Sequence, residues 1–522
     1  MVMVAFVLSR VLGLVRDMML GSAFGTGADM DAFRTASRVT DTLYILVAGG
    51  ALGSAFIPTF TTYLTQGRRA LGWKVASAVI NLILLVTLTA SLLTALIAPW
   101  LVSTVLAPGL PLETQRLSVS LLRWMLAATV IFGVSGLLMG ILNANDHFLL
   151  PALAPSLYNL GIILGVALLA PRWGIHGVAI GTVIGALLHL LIQLPALRTM
   201  DWRYTPTLGL RLEGVCEIAR LMGPRVLGLA ITQLHFWVNI NLGSHIGVEG
   251  VIAALTWGWL LMLLPQGIFG QAIATVILPA FSAQVARKEQ AAMQRTFVSV
   301  LGAVIYLTLP ATLGLILLRH PFVEMFFMRG RFGSQDAQMV AWALAWYAVG
   351  LVAHAALEIV TRAFYALHDT ATPVWVGGSA MALNVILSLV LSRIFAWAGA
   401  RYLGSGYQPW MPLGGLALAN SVATILETAT LTGLLWRRLG GLDGRALWAS
   451  LWRIAAGTAV TGIALAAFLR LAPTQNAWIL GGGGIALGGG AFVATTALLR
   501  SPEIKWAAQL VRRRLSRGAK TG

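Results

Sequence analysis

Two short stretches near the start of the chain put guanidinium and carboxylate groups on otherwise apolar helical sequence. SRVLGLVRDMML (Ser9–Leu20) carries Arg10, Arg16 and Asp17, and DAFRTASRVTD (Asp31–Asp41) carries Asp31, Arg34, Arg38 and Asp41 at spacings of three, four and three. On a helix, Ser9, Arg10, Gly13, Arg16 and Asp17 fall within about 120° of arc, leaving Val11, Val15, Met18 and Met19 on the other side. The second set falls within about 80°, and opposite charges at such spacings can pair along a helix. A charge at the centre of a bilayer costs about 2.5–3.5 kcal/mol on insertion scales, so packing alone gives no reason to hold several. The chemistry these residues could do is anion capture in a water-filled cavity. Arginine's planar fork binds phosphate in bidentate fashion and stays charged at any working pH, and a pyrophosphate group fits. The competing reading is a set of internal salt bridges that position the helices. Arg16 is the residue least easily neutralised within its own helix, because Asp17 projects about 100° away.

The elements that must position these groups follow from composition. The chain has 522 residues, 58% hydrophobic and 10% charged, against about 25% charged in soluble domains. Apolar runs of about 20 residues, enough to span hydrocarbon, recur along the whole length. They predict an all-α polytopic membrane protein with about fourteen transmembrane helices, from 3–24 to 476–499. No cleavable signal pattern precedes them. The net charge of +18 is accounted for by the cytoplasmic loops of a membrane protein, which collect Lys and Arg; no nucleic-acid partner is expected. Arg68, Arg69, Lys74, Arg198, Arg203, Arg211, Arg287, Lys288, Arg295, Arg437, Arg438 and Arg445 fall in even-numbered loops, with Arg512, Arg513, Arg514, Arg517 and Lys520 in the tail. That bias predicts both termini in the cytoplasm. The tail could also bind anionic lipid. Cys216 is the only cysteine, and neither G-x-x-x-x-G-K nor H-E-x-x-H occurs. An ATPase, a zinc protease or another enzyme is not expected, nor is a catalytic residue, a cofactor or a metal.

The chain also repeats itself. AFIPTFTTYL (Ala55–Leu64) resembles VILPAFSAQV (Val276–Val285), and NDHFLLPALAP (Asn145–Pro155) parallels LHDTATPVWVG (Leu367–Gly377). Six helices per copy predict two parallel repeats, a transporter architecture with its substrate site between lobes. The expected domains are an N-lobe over 1–200, a C-lobe over 201–440, and a C-terminal helix pair with a basic tail over 441–522. The second copy lacks a basic stripe. It offers His235, His245, the one-face set His354, Glu358 and Arg362, and a solitary Glu427; intramembrane ionisable groups are proton or cation sites or structural pairs. Arg123 is a cavity residue or an interfacial one. A cationic N-lobe beside a nearly neutral C-lobe suits a substrate with an anionic head and a large uncharged remainder.

SRVLGLVRDMMLGSAFGTGADMDAF followed by AGGALGSAFIP resembles the opening of the MurJ (MviN) family, lipid II flippases of the multidrug/oligosaccharidyl-lipid/polysaccharide (MOP) exporter superfamily. GILNANDHFLLPALAPSLYNLGII, MGPRVLGLAITQ, LPQGIFGQAIATVILPAFS and FYALHDTATPV match in order, so the resemblance covers essentially residues 1–500. It implies fourteen helices, two six-helix lobes forming a V, and a last helix pair bordering a groove for the polyprenyl tail. It also implies flipping of undecaprenyl-pyrophosphate-linked peptidoglycan precursor, lipid II, by alternating access in the bacterial cytoplasmic membrane. Membrane lipids, and potentially cell-wall synthesis proteins, are the implied partners. The family's first-helix arginines fall on Arg10 and Arg16 and its acids on Asp17 and Asp31; with Arg34 and Arg38 these make the substrate-binding set. The chain departs from the family at Tyr44 and Ile45, where an arginine pair is usual, at Gly49 for a glutamate, and at Trp259, Leu260 and Leu263 in the eighth helix. Asn239 and Asn384 stand at the family's cation site. Arg34 and Arg38 could compensate for the missing arginines. The alternatives are a flippase for another lipid-linked oligosaccharide, a small-molecule antiporter of the same superfamily, and an inert scaffold. GGGGIALGGG (Gly481–Gly490) predicts close helix packing or a lipid-tail groove.

Overall fold

The structure, a computed structural model, describes residues 2–200, 202–441, 444–472 and 474–503. The basic tail, with Arg512, Arg513, Arg514, Arg517 and Lys520, lies outside the described residues. Every regular element among the described residues is helical, as a chain that must satisfy its backbone without water requires.

By contacts the chain divides into two compact units, Met1–Ala253 with Arg329–Gly333, and Ala254–Met328 with Ser334–Gly522. The first unit holds α1 (Val2–Phe24), α2 (Ala28–Tyr44), α3 (Gly50–Thr65), α4 (Arg69–Trp100), α5 (Leu112–Ala144), α6 (Leu149–Leu164), the single turns α7 (Ala170–Trp173) with α8 (Ile175–Leu191) and α9 (Leu194–Leu197), and α10 (Glu213–Ser244). Helix α11 (Val251–Gln266) begins there and continues into the second unit. That unit adds α12 (Ala272–Ala286), α13 (Gln290–Leu317), α14 (Arg319–Phe327), α15 (Ser334–Ala348), α16 (Leu351–Ala366), α17 (Ala371–Tyr402), α18 (Leu413–Arg438), α19 (Gly444–Leu471) and α20 (Ala477–Leu498).

Among the described residues ten helices are long and apolar enough to cross a membrane, or eleven if the bent pair Ser334–Ala348 and Leu351–Ala366 counts as one. The runs containing α1, α2 and α10 are not in that set. In α1 and α2 this is where the charges sit.

The internal repeat is written in the backbone. A π-helical turn joins α2 to α3 (Ile45–Gly49) and another joins α11 to α12 (Gly267–Gln271), with Pro58 and Pro279 inside the helices that follow. Pro151 and Pro373 each stand two residues into their helices, where a missing N–H costs nothing. The turns before them are held by left-handed Asp146 (φ 60) and His368 (φ 58) and by the same bond, His147 N to Leu142 O and Asp369 N to Phe364 O. Gly67 (φ 72) and Lys288 (φ 58) form a second matched pair. A positive φ is costly for a lysine; the turn geometry is retained where the glycine is not.

Each unit has its own core. In the first, Phe56, Phe60 and Trp73 are buried between α3, α4 and α5, with Phe60 edge-on to Trp73 at 5.3 Å. In the second, Phe281, Phe297 and Phe364 are fully buried. The helix pair α6 and α8 touches through backbone: a Cβ on Gly161 would stand 2.2 Å from Gly185 Cα, and one on Gly181 would stand 2.7 Å from Gly165 Cα. Small residues permit this approach, and it replaces the hydrophobic drive that lipid cannot supply.

Gly161→Ala should therefore lower the thermal unfolding midpoint in detergent, at an overpacking cost of about 1–3 kcal/mol. Gly482→Ala, which enters open space, should not lower it. An unchanged midpoint for Gly161→Ala would contradict the close contact.

Candidate anion-binding site

The site is built from α1, α2 and α6 of the first unit. Arg16 Nη2 lies 2.6 Å from Asp17 Oδ2, and Arg34 Nη2 lies 2.5 Å from Asp17 Oδ1. One carboxylate, 1% exposed, thus serves two guanidinium groups, and the trio keeps one positive charge. Arg16 is also held from α6, where Asn159 Oδ1 accepts from its Nη1 at 2.9 Å. Asn159 Nδ2 in turn donates to Ser9 O at 3.1 Å. Gly13, beside Asn159, leaves room for that bridge. Arg16 Nε is buried with no hydrogen-bond partner, while the side chains of Arg16 and Arg34 remain 22% and 13% exposed. A site of this kind holds its donors in a fixed fork and still admits solvent.

The expectation that Arg16 escapes Asp17 is corrected. The two side chains leave the helix about 100° apart, but a guanidinium on three methylenes reaches round the turn. Arg34, one helix away, pulls the same carboxylate into line.

Arg38 is placed by stacking. Its Cζ sits 4.3 Å from the centre of the Phe236 ring on α10, a cation–π geometry that holds a charge without neutralising it. One residue on, Trp237 Nε1 donates to Thr42 Oγ1 at 2.9 Å. Asp41 is exposed between buried Thr40 and Thr42, and Arg38 is half-buried. Arg10 is exposed on the first half of α1.

Asp31 is not part of this cluster, although the spacing puts it on the same stripe. It is fully buried, and its Oδ2 and Oδ1 accept from Gly250 N at 2.7 Å and Ala253 N at 2.8 Å. It caps the first turn of α11, whose free N–H groups and positive dipole end favour a carboxylate. Gly250 (φ 86) makes the approach possible, since a Cβ there would stand 2.1 Å from Thr26 O. A second loop docks beside it, with Arg331 N donating to Ser22 O at 2.8 Å. This junction fixes the ends of α1 and α2, and hence the mutual position of Arg16 and Arg34.

Sequence reasoning missed Asn159, Phe236 and Trp237. Asn159 had a signal, a lone amide in the apolar run PSLYNLGII; the two aromatics, among many, had none. Of the positions where the resemblance expects arginine, Tyr44 joins a ring cluster: it packs on Phe132 at 5.1 Å, and Phe132 on Tyr158 at 4.9 Å. In the second unit Trp259 packs edge-on to Tyr347 and His354, both at 5.2 Å. Glu358 pairs with Arg362 at 2.5 Å, and His354 Nε2 is 3.1 Å from Asn420 Oδ1. His235 bonds Asn239 at 3.1 Å and His245 bonds Asn241 O at 2.8 Å. Arg123 is exposed and donates to Ala95 O at 3.2 Å.

A profile of the family described as "Lipid II flippase MurJ" matches residues 20–482. A "Probable lipid II flippase MurJ" of Vibrio cholerae is 31% identical over 489 residues, covering 90% of this chain and 88% of its own. A "Lipid II flippase MurJ" of Burkholderia cenocepacia is 29% identical over 400 residues, covering 75% and 77%. Among solved structures, "Lipid II flippase MurJ, inward closed conformation" superposes with a TM-score of 0.77 at 24% identity, covering 95% of this chain and 98% of that one. An inward-facing multidrug resistance MATE family transporter of the MOP superfamily reaches 0.63 at 18%, covering 86% and 95%. Both share the fold.

Asp31→Ala should lower the unfolding midpoint, because two buried N–H groups lose their acceptor at about 1–3 kcal/mol each. The affinity of the folded protein for inorganic pyrophosphate should be unchanged. Weaker pyrophosphate binding at an unaltered midpoint would instead place Asp31 in the anion site.

Proposed function

The chain belongs to the lipid II flippase MurJ family, and from that premise we propose that it carries the undecaprenyl-pyrophosphate-linked peptidoglycan precursor, lipid II, across the bacterial inner membrane by alternating access. It is a multi-pass transporter rather than a catalyst, and its partners are lipid II and the lipids around it. The observation that carries the mechanism is the shared carboxylate: Arg16 of α1 and Arg34 of α2 converge on Asp17. A diphosphate brings at least two negative charges and acceptor oxygens in the geometry that a guanidinium fork matches. It would take the remaining donors, including the unsatisfied Arg16 Nε, with Asp17 keeping the two arginines spaced and oriented when the site is empty.

Arg38, stacked on Phe236 and next to exposed Asp41, and exposed Arg10 extend the cationic stripe along which the head group moves. Asp31 acts as a helix cap and not as a ligand. For the prenyl chain the second unit offers an apolar hollow of about 420 Å³, lined among others by Pro310 of α13, Leu318 just past its end, Leu465 of α19 and Gly484, Gly488 and Phe492 of α20. The glycines of GGGGIALGGG serve both purposes the sequence allows: Gly484 and Gly488 pack against Leu318 and Leu465, and the same glycines line the hollow.

A count of fourteen crossings is supported when helices joined through π-helical turns, and the bent pair α15 and α16, are each taken as one rod and the short α9 and α14 are left out. An even number, with the basic loops, supports a cytoplasmic location for both termini. Two six-helix lobes and a final pair complete the arrangement, supported by the matched turns of the repeat. The basic stripe argues against a small-molecule antiporter, whose cationic substrates would want an acidic cavity.

Complementation in a strain depleted of its own lipid II flippase tests the reading, scored by precursor reaching the outer leaflet. Arg16→Ala and Arg34→Ala should each lower transport about 10–100-fold, the equivalent of about 1.5–3 kcal/mol for a hydrogen bond to a charged group. Arg16→Lys should fall between. Arg116→Ala, whose ion pair with Glu113 is exposed at 3.5 Å, should transport normally. Full rescue by an Arg16→Ala, Arg34→Ala double variant would overturn the mechanism and favour the scaffold reading.

A further inference from the structure

The flippase reading leaves idle an acidic side chain half-way along a spanning helix of the second unit. Glu427 stands on α18 eleven residues before its end at Arg438, about 16 Å of helix rise and so roughly half of a hydrocarbon layer of about 30 Å. It lines an open hollow of about 290 Å³ together with Trp375, Val376, Ser379 and Leu383 of α17 and Thr430 of its own helix. It is the only ionisable residue in that lining. Its carboxyl lies directly on the partner helix: Oε1 would be 3.1 Å from a Cβ on Gly377, so hydrogen alone separates it from the α17 backbone. No hydrogen bond or ion pair to Glu427 occurs among the described residues.

The charged groups of every packed element are engaged elsewhere or absent from the lining. On α16, Glu358 is paired with Arg362 and His354 faces Asn420. On α18, Arg438 is bound to Asp369 and Thr372 beyond the helix end, and Arg437 is one residue from it. Arg393, Arg401 and Tyr402 of α17, Asp336 and Tyr347 of α15 and Tyr365 of α16 do not line the hollow.

A carboxylate so placed, half-way along a spanning helix with no cation in the lining of its hollow, is costly to hold as an ion, and such a group neutralises itself by taking a proton. We propose that Glu427 is a membrane-embedded proton-binding site: a carboxyl that occupies the hollow between α17 and α18 as the neutral acid and takes up or gives off one proton when the hollow is dried or wetted. Serine and threonine hydroxyls at Ser379 and Thr430 share that lining and are the polar groups nearest at hand when water enters. Nothing in the diphosphate site of the first unit is needed for this role.

A lipophilic carbodiimide tests it. The protonated carboxyl adds across a C=N bond of the reagent, its proton passing to nitrogen, and the adduct rearranges to a stable N-acylurea with the mass of one whole reagent molecule gained and nothing lost. In membranes containing the full-length protein, dicyclohexylcarbodiimide at pH 7 should modify the peptide bearing Glu427, although a solvated glutamate with a reference value of about 4.3 is almost wholly ionised there. A water-soluble carbodiimide should be at least about tenfold slower, and labelling should fall about tenfold for each pH unit above the titration midpoint. Glu427→Gln should abolish the adduct; should that variant fail to fold, the pH and reagent dependence of the unaltered protein decides alone. Labelling that appears only near pH 4, or equal labelling by the water-soluble reagent, would overturn the proposal by making Glu427 an ordinary solvated carboxylate.

Discussion

Two guanidinium groups hold one carboxylate in the first unit, and this inequality governs the reading of the site. The shared Asp17 draws Arg16 on α1 and Arg34 on α2 to one point. Arg16 and Arg34 are preorganised at contact distance from a common oxygen pair, so an arriving anion meets donors that are already oriented. The ordering cost falls on folding rather than on binding. Asn159 completes the arrangement by holding Arg16 from α6 while tying itself to the α1 backbone.

That arrangement depends on where α1 and α2 end. Both termini run into the junction in which Asp31 caps α11, Gly250 lies against Thr26, and Arg331 N reaches Ser22 O. A buried carboxylate spent on two backbone N–H groups is an expensive way to join helices unless its position matters, and the position it sets is that of Arg34 one turn further on. The two acids of the first seventy residues that could be mistaken for each other thus do opposite jobs. Asp17 holds two guanidinium groups together; Asp31 accepts from the backbone N–H groups at the start of α11.

The helical class, the repeat and the charged stripe were legible in the sequence because each rests on periodicity: apolar runs of spanning length, prolines at matched positions, and charges three and four apart. Resemblance added the family but not the local contacts. The partition of the acids was not legible, since helical projection gives the direction of a Cβ and not the reach of a side chain. On a wheel Arg16 and Asp17 diverge and Asp31 joins Arg34; in space Arg16 meets Asp17 and Asp31 turns to α11. Phe236 was equally out of reach, because nothing in its neighbourhood marks which of many rings will lie over a guanidinium. Helix α10 packs within the first compact unit and supplies Phe236 and Trp237 to α2.

The absence of family arginines at Tyr44 and Leu260 bears on how little charge the transport of a diphosphate requires. Tyr44 joins a ring cluster with Phe132 and Tyr158, and Tyr158 immediately precedes Asn159, so the apolar wall ends where the arginine site begins. A low-dielectric wall beside a cationic cluster strengthens each remaining charge, and fewer arginines then suffice to hold the head group. They also hold it less tightly, which a carrier needs: a site that binds a diphosphate with every donor filled would gain affinity in the loaded state and lose it as release rate. On the proposed reading, Arg16 and Arg34 would hold the head group with Arg38 stacked on its ring beside them, and Asp17 would keep both arginines in place as the anion leaves.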